Sequence, residues 1–91
     1  MIASFRGSDT ENIFHGIRSK KFRSIENIAI RKLFQLDSAK SLQDLKSPGN
    51  ALEALKGDRK GQRSVRINHQ DRLCFNWQNG DARKVEIADS H

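Results

Sequence analysis

The last third of the chain contains three stretches in which apolar and polar residues alternate. Residues 64–68 read SVRIN, residues 72–77 read RLCFNW and residues 83–87 read RKVEI. Successive side chains of a strand point to opposite faces of a sheet, so this period of two predicts three strands, each with one apolar and one polar face. The apolar face needs a covering layer, which restricts the chain to folds that pack helices against a sheet.

The loops between these strands predict their register. A three-residue loop at residues 78–80 is preferred to a two-residue Asn79-Gly80 turn, because it keeps the odd-numbered apolar side chains on one face. The predicted partners are Phe75 with Arg83, Leu73 with Val85, Ile67 with Leu73, and Arg72 with Glu86. Arg83 is the misfit of this register and is expected at the rim of the sheet.

Two helices are predicted in the first half of the chain. Residues 8–17 have apolar side chains at helical spacing, with Ser8 or Asp9 as the N-cap. Residues 24–40 form the clearer helix, with Ser24 as its N-cap and a buried stripe of Ile25, Ala29, Leu33 and Leu36. Residues 1–5 are a strand candidate, and residues 41–61 read as a leucine-pinned loop. The prediction is an α+β fold of β-α-α-β-β-β order, with an antiparallel sheet and two helices on one face.

The composition limits the class of protein. A chain of 91 residues predicts one domain, 1–91. One cysteine excludes an intrachain disulfide, no apolar run is long enough for a membrane span, and the N-terminus lacks a signal-peptide layout, so a cytoplasmic protein is expected. Seventeen Lys and Arg against eleven Asp and Glu give a net charge of +6, which favours a polyanionic partner over a merely solvated surface.

Acid–base chemistry is the reaction type that the residues favour most. The three histidines lack zinc-site spacing, there is no Gly-rich phosphate loop, and Cys74 in a strand is typical of inert packing, so neither metal nor cofactor is expected. What remains is a basic face with Asp89 and His91 at the end of the last strand. RNA cleavage by the ribose 2′-hydroxyl needs only a base, an acid and cations for the phosphorane charge. The other reading of His91 is a frayed chain terminus.

The stretch NALEALKGDRKGQRSVRINHQDRLCFNW, followed by VEIADSH, resembles the HigB branch of the RelE/ParE toxin superfamily. The resemblance spans essentially the whole chain, and it rests on the LKGDR element, the strand pair and the terminal motif. It implies a RelE-like fold and the toxin of a bacterial type II toxin–antitoxin pair. Such toxins are ribosome-dependent, metal-independent endoribonucleases that cut mRNA during translation. A helix-turn-helix antitoxin of the HigA type neutralises them, and only the complex binds operator DNA.

The resemblance also assigns site residues. Asp89 and His91 match the catalytic tail, Lys56 matches the basic residue of LKGDR, and Arg72 matches the strand arginine. Glu53 falls where some relatives place a catalytic histidine, and is either an acid/base group or simple surface. The chain departs from the family pattern in having Ser90 for an aromatic residue and Asp71 for a tryptophan, which predicts a working but weakened nuclease.

Contacts to RNA are expected from Arg59, Lys60, Arg63, Arg66 and Ser90, although ordinary loop charge is the alternative for the four cations. The second basic cluster, Arg18 to Arg23, contacts the ribosome or the antitoxin, or is solvated decoration. Two other functions stay open: a ParE-like, non-catalytic inhibitor of gyrase, and an inactive RNA-binding relic. Strict alternation places Asp89 and His91 on the apolar side of the sheet, so the nuclease reading requires a twist near Ala88.

Overall fold

The computed structural model describes residues 1–89, which form two helices and a four-stranded sheet. The helices are α1 (Ser8–Phe14) and α2 (Glu26–Ser38), and the strands are β1 (Glu53–Ala54), β2 (Arg63–Arg66), β3 (Asp71–Gln78) and β4 (Asp81–Asp89). The strands lie in the order β1-β2-β3-β4 and neighbours are antiparallel. Helix α2 packs against β3 and β4, and α1 packs against α2 and β4. The predicted α+β class, with two helices on one face of an antiparallel sheet, is confirmed. Within the described part of the chain, no helix has the length and apolar character needed to cross a membrane.

The buried stripe of α2 is confirmed, but the predicted helix caps are wrong. Ala29, Leu33 and Leu36 are fully buried and join the odd-numbered strand residues in one core. A short 3-10 turn, Arg23–Ile25, precedes α2, so Ile25 rather than Ser24 occupies the cap position. Gly7, at φ 84°, takes that position before α1 in place of Ser8 or Asp9. Local capping preference is thus overridden by the conformation of the connecting loops.

The predicted N-terminal strand lies beside β4 and runs parallel to it. The Ala82 N–H donates to the Met1 carbonyl at 2.9 Å, and the Ala3 N–H donates to the Ala82 carbonyl at 2.7 Å. Farther along, the Val85 N–H donates to the Ser4 carbonyl at 3.1 Å. These contacts are isolated bridges rather than a regular strand. They cover the edge of β4 that β3 leaves open.

The predicted β3–β4 register is wrong, because the strands are joined by a two-residue turn, Asn79-Gly80, and not by the predicted three-residue loop at residues 78–80. Both turn residues have positive φ, 54° and 81°, as a type I′ turn requires. The mixing is avoided by a bulge at Lys84, whose φ is 52°, so that the register shifts between Cys74 and Asn76. The pairs are Asn76 with Arg83, Trp77 with Ala82 and Leu73 with Ile87. The bulge places Arg83 on the polar side of the sheet, so the prediction that Arg83 lies on the apolar side, at the rim of the sheet, is wrong.

The β2–β3 register is also displaced from the prediction, by two residues. Val65, not Ile67, lies opposite Leu73. The Asn68 side-chain oxygen accepts from the backbone N–H groups of Gln70 at 2.8 Å and Asp71 at 2.7 Å, which tightens the loop. A two-residue shift preserves which face each side chain occupies, so the polar and apolar faces are as predicted.

Glu86 lies opposite Cys74, and Arg72 lies opposite Ala88, so the predicted Arg72–Glu86 pairing is wrong. The causes are the two-residue turn and the bulge, each of which displaces the β4 partner by one residue. Strand β4 stays paired with β3 through Asp89, opposite Asp71, so the expected twist near Ala88 is not found within the described residues. Ser90 and His91 lie outside them.

The loop predicted at 41–61 is a series of short turns with one brief strand, β1. Leu45 is buried in the core and the half-buried Leu42 and Leu52 pack against it, as predicted, whereas Leu55 is half-buried on the polar side of the sheet. Asn50 is also fully buried, a feature the sequence did not indicate.

Candidate functional site

Four predicted catalytic residues, Glu53, Lys56, Arg72 and Asp89, line one cleft of about 280 Å³ on the polar side of the sheet. We call it the Arg72 cleft. Glu53 lies on β1 and Lys56 follows that strand, while Arg72 and Asp89 lie near the start of β3 and the end of β4. The antiparallel order of the strands brings these four positions to one end of the sheet. The remaining predicted catalytic residue, His91, and Ser90 lie outside the described residues.

Arg72 is the most firmly held side chain of the cleft, with 14% of its side chain exposed. Its Nε donates to the Ser64 hydroxyl at 2.6 Å, and its Nη2 donates to the Ala51 carbonyl at 2.6 Å. The Glu53 carboxylate lies 3.6 Å from Nε. A guanidinium has five N–H donors, so these anchoring bonds leave donors for a ligand. Arg72 is therefore a cation of fixed position, suited to gripping phosphate oxygens.

The anchors of Arg72 are functional features that sequence reasoning missed. Ser64 was expected on the exposed polar face, yet it is fully buried beneath the guanidinium. Ala51, whose φ is 43°, accepts through its backbone carbonyl, and a backbone contact of this kind cannot be predicted from the pattern of side chains. The one signal in the sequence was the alternation that put Ser64 and Arg72 on the same face of the sheet.

Arg59, a predicted RNA contact, lines the Arg72 cleft but is engaged within the protein. Its Nη1 lies 2.7 Å from the Glu86 carboxylate and donates to the Gln62 side-chain oxygen at 3.0 Å. The hydrogen bond to Glu86 raises the pKa of Arg59 above its ordinary value. The carboxylate that was expected beside Arg72 thus neutralises Arg59 instead.

The other predicted RNA contacts are spread over the surface around the cleft. Lys60 and Arg66 are exposed, and Arg66 lies opposite Arg72 on the neighbouring strand. Arg63 is half-buried and alternates to the face that carries Val65. Within residues 1–89, the lining of the Arg72 cleft includes Arg59 but not these three cations.

The two carboxylates of the cleft differ in their surroundings. Glu53 has 56% of its side chain exposed and faces Arg72. Asp89 is exposed and accepts a hydrogen bond from the Gln70 side chain at 3.4 Å. Asp89 alternates toward the apolar side, yet it lines the Arg72 cleft because it ends the strand. Both carboxylates are placed where they can exchange protons with a bound ligand.

Cys74 forms part of the cleft wall and is 3% exposed. Burial raises the pKa of its thiol, which keeps the sulfur protonated near neutral pH. A thiol rather than a thiolate is a poor nucleophile, so the chemistry of the cleft rests on its charged residues.

Comparison with known proteins gives one family and one fold. A sequence model described as "RelE-like toxin of type II toxin-antitoxin system HigB" matches residues 5–91. Toxin HigB-1 of Vibrio cholerae serotype O1 is 50% identical over 60 residues, which cover 65% of this chain and 63% of that toxin. The chain thus matches less than two thirds of the length of that relative.

Two solved structures from Staphylococcus aureus share the fold. A chain of the heterotetrameric YoeB–YefM toxin–antitoxin complex aligns with a TM-score of 0.62 at 18% identity, covering 100% of this chain and 98% of that chain. The YoeB dimer aligns with a TM-score of 0.61 at 19% identity, covering 99% and 97%. At these identities the likeness concerns the fold alone.

Proposed function

The chain belongs to the HigB-like family of RelE-like toxins of type II toxin–antitoxin systems, and we propose that it is an endoribonuclease that cuts mRNA on translating ribosomes. The observation that carries this proposal is the Arg72 cleft. It combines a fixed guanidinium with an ammonium, Lys56, and with two carboxylates, Glu53 and Asp89. Metal-free RNA cleavage needs these classes of group.

The proposed reaction is an internal transesterification. The 2′-hydroxyl of one nucleotide attacks the adjacent phosphorus and gives up its proton, while the P–O5′ bond breaks and the leaving oxygen takes up a proton. The products carry a 2′,3′-cyclic phosphate and a 5′-hydroxyl. Asp89 and His91 are the proposed proton carriers, with Glu53 as a further acid/base candidate.

Arg72 and Lys56 are proposed to stabilise the charge that develops on the non-bridging phosphate oxygens. Arg72 suits this role because its anchors fix the guanidinium before the substrate arrives, so little reorganisation is needed during the reaction. The Glu53 carboxylate adds an ion-pair contact to the same guanidinium, 3.6 Å from its Nε. The cleft is therefore organised around the position of a single phosphate.

The outer cations are proposed to hold the RNA along the protein surface. Arg66 lies on the same face as Arg72, Lys60 is exposed next to Arg59 in the chain, and Arg59 joins them when phosphate competes with Glu86 for its guanidinium. Arg63, on the opposite face, would contact only RNA that passes around the edge of the sheet. Binding that depends on such contacts weakens steeply with salt, because each neutralised phosphate releases counterions.

The proposed partners follow from family membership. They are a translating ribosome with its mRNA, and a helix-turn-helix antitoxin of the HigA type that neutralises the toxin. Operator DNA is bound only through the toxin–antitoxin complex, and the setting is cytoplasmic.

The test is mRNA cleavage in a purified translation system. Arg72→Ala is expected to lower the cleavage rate roughly 100- to 1,000-fold, the usual effect of removing a group that stabilises transition-state charge. His91→Ala is expected to lower it roughly 100- to 10,000-fold through loss of proton transfer. The matched control is Arg31→Ala, which removes an exposed arginine of α2 and should leave the rate unchanged.

The outcomes separate the competing functions. Absence of cleavage by the wild type, with DNA gyrase inhibited instead, would support the non-catalytic inhibitor. Ribosome binding without cleavage or gyrase inhibition would support an inactive relic. Cleavage that survives both substitutions would leave a nuclease whose chemistry lies elsewhere.

A further inference from the structure

A second and larger cleft, of about 540 Å³, lies beside the Arg72 cleft. We call it the Phe22 cleft. The two share Arg59, Ala88 and Asp89 in their linings, so they meet along the last residues of β4. The Arg59–Glu86 ion pair stands at their boundary. The volume of the Phe22 cleft is typical of a site for a small ligand. Of its lining, the proposed chemistry at Arg72 uses only the shared residues Arg59 and Asp89.

One wall of this cleft is an aromatic ring. Phe22 is half-buried and packs against the core, which fixes the ring. The ammonium of Lys21 lies 5.3 Å from the ring centroid, in cation–π contact. Lys21 is exposed, so a flat ligand can displace its mobile side chain from the ring. The wall is thus suited to stacking a planar group.

The charged groups of the cleft favour hydrogen-bond donors over anions. The lining has three carboxylates, Asp71, Glu86 and Asp89, and two cations, Lys21 and Arg59. Because Glu86 and Arg59 form an ion pair, Asp71 and Asp89 face the single remaining cation, Lys21. Asp71 and Asp89 lie directly opposite each other on β3 and β4. An ionised carboxylate only accepts hydrogen bonds, so this floor matches amino and ring N–H groups and disfavours phosphate.

A planar group that carries amino donors and adjoins a bound phosphate is a nucleobase. We propose that the Phe22 cleft binds the base of a nucleotide flanking the scissile phosphate, stacked on Phe22 with its amino edge donating to the Asp71 side of the floor. Lys21 then leaves the ring and contacts the RNA backbone. The proposal rests on the proposed RNA-cleaving function and adds a base-binding subsite that prefers adenine, cytosine or guanine to uracil.

The first measurement is equilibrium binding of a short RNA whose attacking 2′-hydroxyl is replaced by hydrogen, so that it cannot be cut. Removing the base at one position flanking the scissile phosphate is expected to weaken binding to the wild type roughly 5- to 150-fold, the contribution of one stacked base. Phe22→Leu, which keeps an apolar side chain but removes the flat ring, should weaken binding of the intact RNA similarly. Removal of that base should not weaken RNA binding to the Phe22→Leu variant any further, because the substitution and the base removal abolish the same interaction.

The matched control is Phe34→Leu, which alters an aromatic side chain that is 53% exposed on α2, outside both clefts. It should behave as the wild type does. A second variant, Asp71→Asn, should reduce the preference for adenine over an analogue that lacks the amino group. Urea denaturation of each variant shows whether it is folded as the wild type is.

The same RNAs, with the 2′-hydroxyl restored, are then compared for cleavage on ribosomes. Base-dependent binding through Phe22 without any cleavage would contradict the proposed nuclease and keep the subsite. Binding that is equal with and without the base would overturn the subsite, as would effects of Phe22→Leu and base removal that simply multiply.

Discussion

Asn50 is predicted to be the polar residue whose substitution lowers the free energy of unfolding most. It is fully buried in the segment between α2 and β1, although asparagine is usually exposed. Its side-chain oxygen accepts from the Lys32 ammonium at 2.5 Å, and its amide donates to the Leu45 carbonyl at 3.0 Å and to Gln35 at 3.3 Å. Asn50 therefore joins α2 to the loop that carries the Ala51 carbonyl.

The expected cost of Asn50→Ala follows from these three bonds. A hydrogen bond from a charged donor contributes about 1.5–3 kcal/mol and a neutral one about 0.5–1.5 kcal/mol, and the Leu45 carbonyl would stay buried without its partner. Burial and, to a smaller extent, the nearby Arg31 lower the pKa of Lys32. We expect the free energy of unfolding to fall by about 3–5 kcal/mol, a large part of the roughly 5–14 kcal/mol typical of a 91-residue domain.

Urea denaturation at pH 7 and 25 °C measures this change directly. The control is Asn27→Ala, an exposed asparagine on α2, whose effect should stay within about 0.5 kcal/mol. The Ala51 carbonyl accepts from Arg72 at 2.6 Å, so Asn50→Ala should also slow RNA cleavage at temperatures where the variant is folded. A loss below about 1.5 kcal/mol would contradict this role of Asn50, because it would mean that water replaces the three hydrogen bonds or that they contribute little.

Two further predictions concern single positions near the cleft. Ala51 has a left-handed backbone conformation, with φ 43°, which glycine adopts without the steric cost that a side chain brings. Ala51→Gly should therefore raise the free energy of unfolding by about 0.5–1 kcal/mol in urea denaturation, whereas Ala54→Gly in β1 should lower it. Changes of the same sign in the two variants would contradict this. Burial raises the pKa of the Cys74 thiol above its ordinary value of 9.0. A group whose pKa is higher in the folded than in the unfolded protein contributes stability that is fully present below the unfolded pKa and is lost as the pH rises through the folded pKa. Stability of the wild type should therefore fall more steeply above pH 9 than that of Cys74→Ala, and parallel curves in urea denaturation from pH 7 to 10.5 would contradict this. Lys32, with its lowered pKa, acts in the opposite sense in both proteins, so the difference between the curves isolates the thiol.

Periodic patterns predicted the elements of this fold, and single-residue irregularities escaped them. The stripe of Ala29, Leu33 and Leu36 and the alternation in the three longer strands each depend on several residues at a regular spacing. One irregular residue does not remove such a pattern, so these predictions agree with the structure. The bulge at Lys84 occupies one residue and leaves the alternation on either side intact, which is why the register of β3 and β4 was wrong. Strand β1 is two residues long, too short to show any period.

The candidate site shows the same division. The family motif named Glu53, Lys56, Arg72 and Asp89, and all four line one cleft, although alternation alone put Asp89 on the apolar side. The contacts that fix Arg72 come from a buried hydroxyl and a backbone carbonyl, and the partner of Arg59 depends on the bulge. Such contacts depend on three-dimensional packing across four separate segments, which no local pattern records.

In the proposed mechanism the 2′-hydroxyl of the RNA attacks the adjacent phosphate while the Arg72 cleft holds that phosphate. The most direct test replaces that hydroxyl by hydrogen at one mapped cleavage site of an mRNA in a purified translation system. We expect that cutting at this site disappears, that other sites are still cut, and that the cut ends carry a 2′,3′-cyclic phosphate or its hydrolysis product. Cleavage that continues at the modified position would contradict this mechanism, because the attacking group would then be water or a side chain of the protein.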